Sequence, residues 1–273
     1  MSAESKDVST TAISAAVLTV GCATLFLTEF YIAGFLPLVL VPLGLVLALS
    51  YILTFKPENF LVVGGCALIS TALPLLFYVF DFTNYSGQSL IVPFSGLIGV
   101  ILILSFGFQI FRNDHSNSIS TVFNCLAVSL LICSGLAHLL AYNIFDHSCA
   151  NVVYLALLSM SFVGFVNLVS ALFQFLLKKT ATPKVKLIVD CVSLSISLIV
   201  LFFLLNEFNT VSVPITYLQL IFVATMLLLV FITTHRQFGP GKGKPVAVLF
   251  GTFPLVSTGV LLYIILAYTG VGV

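Results

Sequence analysis

Apolar positions run along this chain in long unbroken blocks, separated by short polar breaks. The blocks predict nine helices at 11–30, 33–55, 59–81, 88–111, 118–141, 152–177, 185–206, 213–234 and 245–269. Each is close to the ~20 apolar residues that cross a hydrocarbon core ~30 Å thick. None alternates apolar and polar positions as a barrel strand does, which leaves helices. A span in lipid must satisfy its own backbone N–H and C=O groups, and a helix does so internally. The expected fold is therefore all-α: a polytopic transmembrane helix bundle of about nine spans built from repeated two-helix hairpins.

The breaks set a direction. Lys6 precedes the first block, and Lys56, Arg112, Lys178, Lys179, Lys184, Lys186, Arg236, Lys242 and Lys244 all follow even-numbered blocks or open the next one. The opposite connectors carry Glu29, Asp81, Asp146 and Glu207 without a Lys or Arg. Basic loops stay in the cytoplasm, so the N-terminus is expected inside and the C-terminus outside. The four lysines at 178–186 then lock the orientation of one hairpin. A contact with anionic lipid is the other reading of that cluster.

The division expected along the chain is a cytoplasmic N-terminal tail (1–10), two additional N-terminal spans (11–55), a six-helix core (56–244) and an additional C-terminal span (245–273). The turn bases Lys56, Arg112, Lys178 and Arg236 recur at similar intervals. Parallel internal repeats of this kind are a device of transporters.

Composition agrees with the pattern. The chain is 60% hydrophobic and 7% charged, with a mean hydropathy of +1.22. A soluble domain carries about 25% charged residues, so a water-facing surface is excluded and the lipid bilayer is the first partner. The formal charge is +1, and no basic patch interleaved with aromatics predicts a nucleic-acid partner. Cys22, Cys66, Cys125, Cys133 and Cys191 lie in apolar blocks and only Cys149 in a polar connector. Without CxxC or His/Cys spacing, neither a disulfide framework nor a zinc site is expected, and no cofactor is. The start, MSAESKDVST, lacks the basic region and cleavage site of a signal peptide, so the first span is expected to be retained.

Spans three to eight resemble the acetate/succinate permease family, also called the acetate uptake transporters. The resemblance is carried by KPENFLVVGG entering span three, GLIGVILILSFGFQIFRNDHSNSISTVF across spans four and five, VVYLALLSMSFVGFVNLVSALFQFLLKK in span six, and RQFGPGKGKPVAVLF after span eight. The family's Asn-Pro-x-Pro-Leu-Gly-Leu entry motif stands here as KPENFLVV, keeping Pro57, and Gln109 is the nearest polar substitute in the following helix. The resemblance implies a six-helix permease plan and a monocarboxylate such as acetate moved with a proton. A urea- or amide-type channel shares a similar hairpin plan.

Polar groups within the blocks are Gln109, Asn124, His138, Asn167, Gln174, Asp190 and Gln219. Such groups are costly in hydrocarbon and by default mark a pathway. Asn124, Asn167, Asp190, Gln109 and His138 are the candidate substrate-pathway residues. Asp190 lies one turn from Lys186, so it is either a station in the pathway or half of an interfacial pair with a lysine that reaches water. The asparagines are either pore liners or hydrogen-bonding links between helices. His138 is either a proton relay or a helix-end histidine near the outer interface. Gly96, Gly99, Gly107, Gly135 and Gly164 are expected to serve close helix packing.

No HExxH, GxSxG or paired-acid cluster occurs within the spans, so no catalytic residue is assigned and no enzyme is expected. Two functions follow. The first is a permease or channel for a small solute in a bacterial inner membrane or plasma membrane. The second is a non-catalytic transmembrane subunit or scaffold, packing as a homo-oligomer or within a larger membrane complex through surfaces rich in the chain's 26 Phe. A transporter needs its Asn and Asp side chains to face one cavity; a scaffold does not.

Overall fold

A computed structural model of the chain describes residues 3–32, 36–79, 91–111, 118–144, 150–177, 182–208, 217–238 and 243–269. The described elements are helices: α1 (Ala3–Tyr31), α2 (Leu36–Phe55), α3 (Phe60–Val79), α4 (Ile91–Phe111), α5 (Ser118–Ile144), α6 (Ala150–Leu177), α7 (Pro183–Phe208), α8 (Tyr217–Phe238) and α9 (Lys244–Thr269). They hold 20 to 29 residues, enough for ~30 Å or more at ~1.5 Å per residue. Among the described residues, four segments are long and apolar enough to cross a membrane: Ser9–Thr28, Leu38–Phe55, Val152–Leu177 and Lys184–Leu204.

Local chemistry explains several boundaries. Thr182 caps α7: its hydroxyl accepts from the Val185 N–H at 3.4 Å, and Pro183 takes the first helical position, where its missing N–H costs nothing. Between α2 and α3, Lys56 adopts φ 44° after its N–H has closed the last turn of α2 on Ile52 O at 2.8 Å. Gly243, at φ 110°, opens α9 in a conformation that side chains resist.

The predicted blocks match the helices to within a turn, except at the start. The expected tail over 1–10 is helical from Ala3, and Thr10, Thr11 and Ser14 are buried on α1. The Ser14 hydroxyl donates to Thr11 O at 3.0 Å, so burial leaves it satisfied within its own helix.

Packing departs from the expected plan. Among the described residues, α2, α3 and α5 contact one another and α4 packs on α3 and α5, while α6, α7 and α8 contact one another, but neither α3, α4 nor α5 packs substantially on α6, α7 or α8. The two groups are joined by α9, which touches α1, α2, α5, α6 and α8, and by α1, whose largest contact is with α6. The expectation of one six-helix core over 56–244, with the flanking spans at its edge, is therefore corrected. Helices α1 and α9 stand between the two groups.

Small residues cause this arrangement. A Cβ built on Gly164 of α6 would lie 2.5 Å from Thr19 Oγ1, 2.9 Å from Thr19 N and 3.2 Å from Ala15 O. One built on Gly251 of α9 would lie 2.5 Å from Ser14 O and 2.9 Å from Val17 Cβ. The α1 backbone thus sits directly against both partners, a close approach that only glycine permits. Gly96, Gly99 and Gly107 have no such neighbour within 4 Å, so the expected packing role holds for Gly164 but not for these three. Gly135 lies outside the residues whose side-chain surroundings are described.

Contact registers give relative directions. On α1, Thr19 meets Ser161 of α6 while Phe26 and Phe30 meet Tyr154, so these two helices are antiparallel. Gly251 approaches Ser14 and Val17 while Leu255 approaches Gly21, so α1 and α9 run parallel. The polar residues near the end of α6 and the start of α7 accordingly share an end of the bundle with the starts of α1 and α9.

Candidate functional site

Asn167 is eighteen positions into α6 and Asp190 eight positions into α7, facing each other across the hairpin. Both are buried, at 7% and 1% relative exposure. The Asn167 side-chain amide donates to Val163 O at 3.0 Å and also to Asp190 Oδ1. Both amide hydrogens are thereby committed, one to its own helix and one across to α7. The structure thus brings together two of the five candidate pathway residues.

The surroundings of the pair are polar on the side toward the basic end. Lys186, one turn before Asp190, places its Nζ 4.7 Å from the centroid of the Phe250 ring on α9. An ammonium over an aromatic face gains electrostatic attraction while its stem covers apolar surface. On α6 the Gln174 amide donates to Ser170 Oγ at 3.1 Å. On α7 the Ser193 hydroxyl donates back to Asp190 O at 3.1 Å. Ser193 and Ser197 are buried on the same helix, three and seven residues beyond Asp190. Those spacings keep all three near one face.

Asn124 belongs elsewhere. Its side-chain oxygen accepts from the Tyr51 hydroxyl of α2 at 2.8 Å, and its amide donates to Ser120 O at 2.8 Å. One turn earlier, Thr121 Oγ1 accepts from the Asn59 amide at 2.6 Å. Gln109, at the end of α4, accepts from the Ser118 hydroxyl at 3.2 Å through Oε1. These contacts tie α2, α3, α4 and α5 together at one end. Helix α5 makes no substantial contact with α6 or α7, so Asn124 and Gln109 are separated from the Asn167–Asp190 pair. His138 lies in α5, and its side chain falls outside the described residues.

Most hydroxyls inside the bundle bond to a carbonyl three or four residues back on their own helix, as Ser50, Ser70, Ser197 and Thr234 do. Thr54 Oγ1, Gln109 Nε2, Ser129 Oγ and Ser159 Oγ are buried without a partner. Leaving such a group unmade costs about 1–3 kcal/mol.

Sequence reasoning found Asn167 and Asp190 through their polarity within apolar blocks, but missed Tyr51, Asn59, Ser118 and Thr121. The spacing of Thr121 and Asn124, three apart on a helix, was the available signal that both lie on one face of α5, which meets Asn59 and Tyr51. Comparison with family models, with curated proteins and with solved structures finds no match to this chain.

Proposed function

We propose that this chain is a nine-span membrane permease for a small solute, with the basic end of the bundle in the cytoplasm, and that Asp190 with Asn167 forms its polar station. The observation that carries the reading is a carboxylate two turns inside α7, 1% exposed and held by a neutral amide. An ionisable side chain at such depth is expensive and functional by default. A carboxylate that gains a proton loses the charge that makes burial costly, so a proton can accompany a solute such as acetate past this point. Asn167 positions the carboxylate through its donated hydrogen bond. The urea- or amide-type channel is the uncoupled version of the same reading, without the proton.

A second reading is a non-catalytic transmembrane subunit. It is favoured by the separation of Asn124 from Asn167 and Asp190, and by the aromatic outer surface, where Phe106, Phe111, Phe123, Phe165 and Phe175 are exposed. The deciding experiment is reconstitution of the full chain into liposomes, with fluxes of acetate, succinate, urea and protons measured against empty vesicles. Saturable flux of one solute supports the permease. Vesicles no more permeable than protein-free ones to all four favour the subunit.

A further inference from the structure

We propose that Lys186 of α7 and Phe250 of α9 form a gate that closes the Asp190 station toward the basic end of the bundle. The gate rests on the permease reading above. Lys186, Asp190, Ser193 and Ser197 recur along α7 at spacings of four, three and four, which places them on one face. Ser193 and Ser197 continue that face inward from the carboxylate, and both are buried. One turn outward stands Lys186. Helix side chains lean toward the N-terminus of their helix, so the Asp190 carboxylate leans toward the lysine stem. Asp190 is buried, whereas Lys186 and Phe250 are half-buried. The two half-buried side chains thus stand between the carboxylate and the basic end.

The contact crosses a seam. Among the described residues, α7 packs substantially on α6 and α8 but not on α9. The Lys186 ammonium nevertheless reaches the Phe250 ring, 4.7 Å from its centroid. The ring stands on a fixed platform. Its neighbour Gly251 presses α9 against α1, where an added Cβ would lie 2.5 Å from Ser14 O, and Leu249 on its other side is fully buried. The lysine is the moving part. Its long stem lets the ammonium leave the aromatic face for water, where its charge is well solvated. With the ammonium on the ring the seam is closed above Asp190, and with the ammonium in water it is open.

The test reads access to the station directly, in the full chain in lipid nanodiscs with the native cysteines replaced. Asp190→Cys is one reporter. Ser193→Cys, one turn deeper with Asp190 left in place, is the second and carries the test if the first does not fold. The probe is the anionic thiol reagent 2-sulfonatoethyl methanethiosulfonate, with the modified fraction followed by mass spectrometry. Phe250→Ala and Lys186→Gln should each speed modification about tenfold. Phe250→Tyr and Lys186→Arg keep a ring and a cation and should react at the parental rate. Removing a lysine weakens attraction for an anionic reagent, so a faster reaction in Lys186→Gln reports opening and not charge. An unchanged rate in either Phe250→Ala or Lys186→Gln would overturn the gate. So would equal acceleration in the conservative variants, or at Ser129→Cys, a buried position on α5 that reports general loosening. No solute flux enters this measurement. Failure here removes the gate alone, whereas failure of the station is read from flux through Asp190→Asn.

Discussion

Asn167 donates a side-chain hydrogen bond to the carboxylate of Asp190, joining α6 to α7 inside the bundle. The donor's other hydrogen is already used on Val163 O, one turn back on α6. The amide thus has its orientation set by its own helix before it meets the carboxylate. Removing only the donor takes one hydrogen bond from a buried carboxylate. Asn167→Leu should therefore destabilise the protein by about 1–3 kcal/mol. Adding Asp190→Leu should recover part of that loss, because deleting both members of the bond is cheaper than removing the donor alone. Unfolding titrations in detergent measure both variants. Strictly additive losses from the two substitutions would show that the pair is not coupled.

For transport, Asp190→Asn is the informative change. It keeps size and hydrogen bonding but cannot carry a proton. Proton-coupled solute flux in proteoliposomes should fall at least tenfold, while the purified yield and the thermal transition stay near those of the parent. Parental flux with an unchanged pH dependence would remove Asp190 from the pathway.

How legible this molecule is in its sequence differs by level. Helix positions are readable because lipid and a helix's closed hydrogen bonding leave one solution for a long apolar block. Which helices touch is not readable from the same pattern, since apolar blocks are interchangeable in their affinity for lipid. The central position of α1 depends on Gly164 and Gly251 lying opposite Ala15, Thr19 and Ser14. Their order is invisible without the register that packing fixes. The polar residues follow the same logic. Asn124 and Asn167 look alike in their blocks, yet one joins Tyr51 on α2 and the other joins Asp190 on α7.

The placement of α1 gives a sharp contrast among glycines. Gly164→Ala and Gly251→Ala each put a methyl against α1 backbone atoms, at 2.9 Å from Thr19 N and 2.5 Å from Ser14 O respectively. Backbone cannot step aside as a flexible side-chain tip does, so each should cost about 1–3 kcal/mol. Gly96→Ala and Gly99→Ala on α4 meet nothing within 4 Å. There the better helix propensity of alanine should make the change neutral or stabilising by up to about 1 kcal/mol. Detergent-resistance or thermal-unfolding curves of the four variants decide it. Equal losses at all four positions would refute the central location of α1.

The last prediction concerns direction across the membrane. Every Lys and Arg of the chain falls at one end of the predicted spans, and Thr182 caps α7 among four of them. Ser86 belongs to a connector predicted at the opposite end, and it lies outside the described residues. In a background with the native cysteines replaced, Thr182→Cys is expected to react with an impermeant maleimide only in inside-out vesicles. Ser86→Cys should react only in right-side-out vesicles or intact cells. Thr182 is well placed for this test because it is exposed and its cap bond to Val185 is a long one, at 3.4 Å. Losing an exposed cap costs about 1 kcal/mol, too little to invert a hairpin held by four lysines. Labelling of both positions from one side would break the alternation of spans between them. Labelling of each from the side opposite to the expected one would keep the alternation and reverse the orientation, and a cytoplasmic N-terminus would then be wrong.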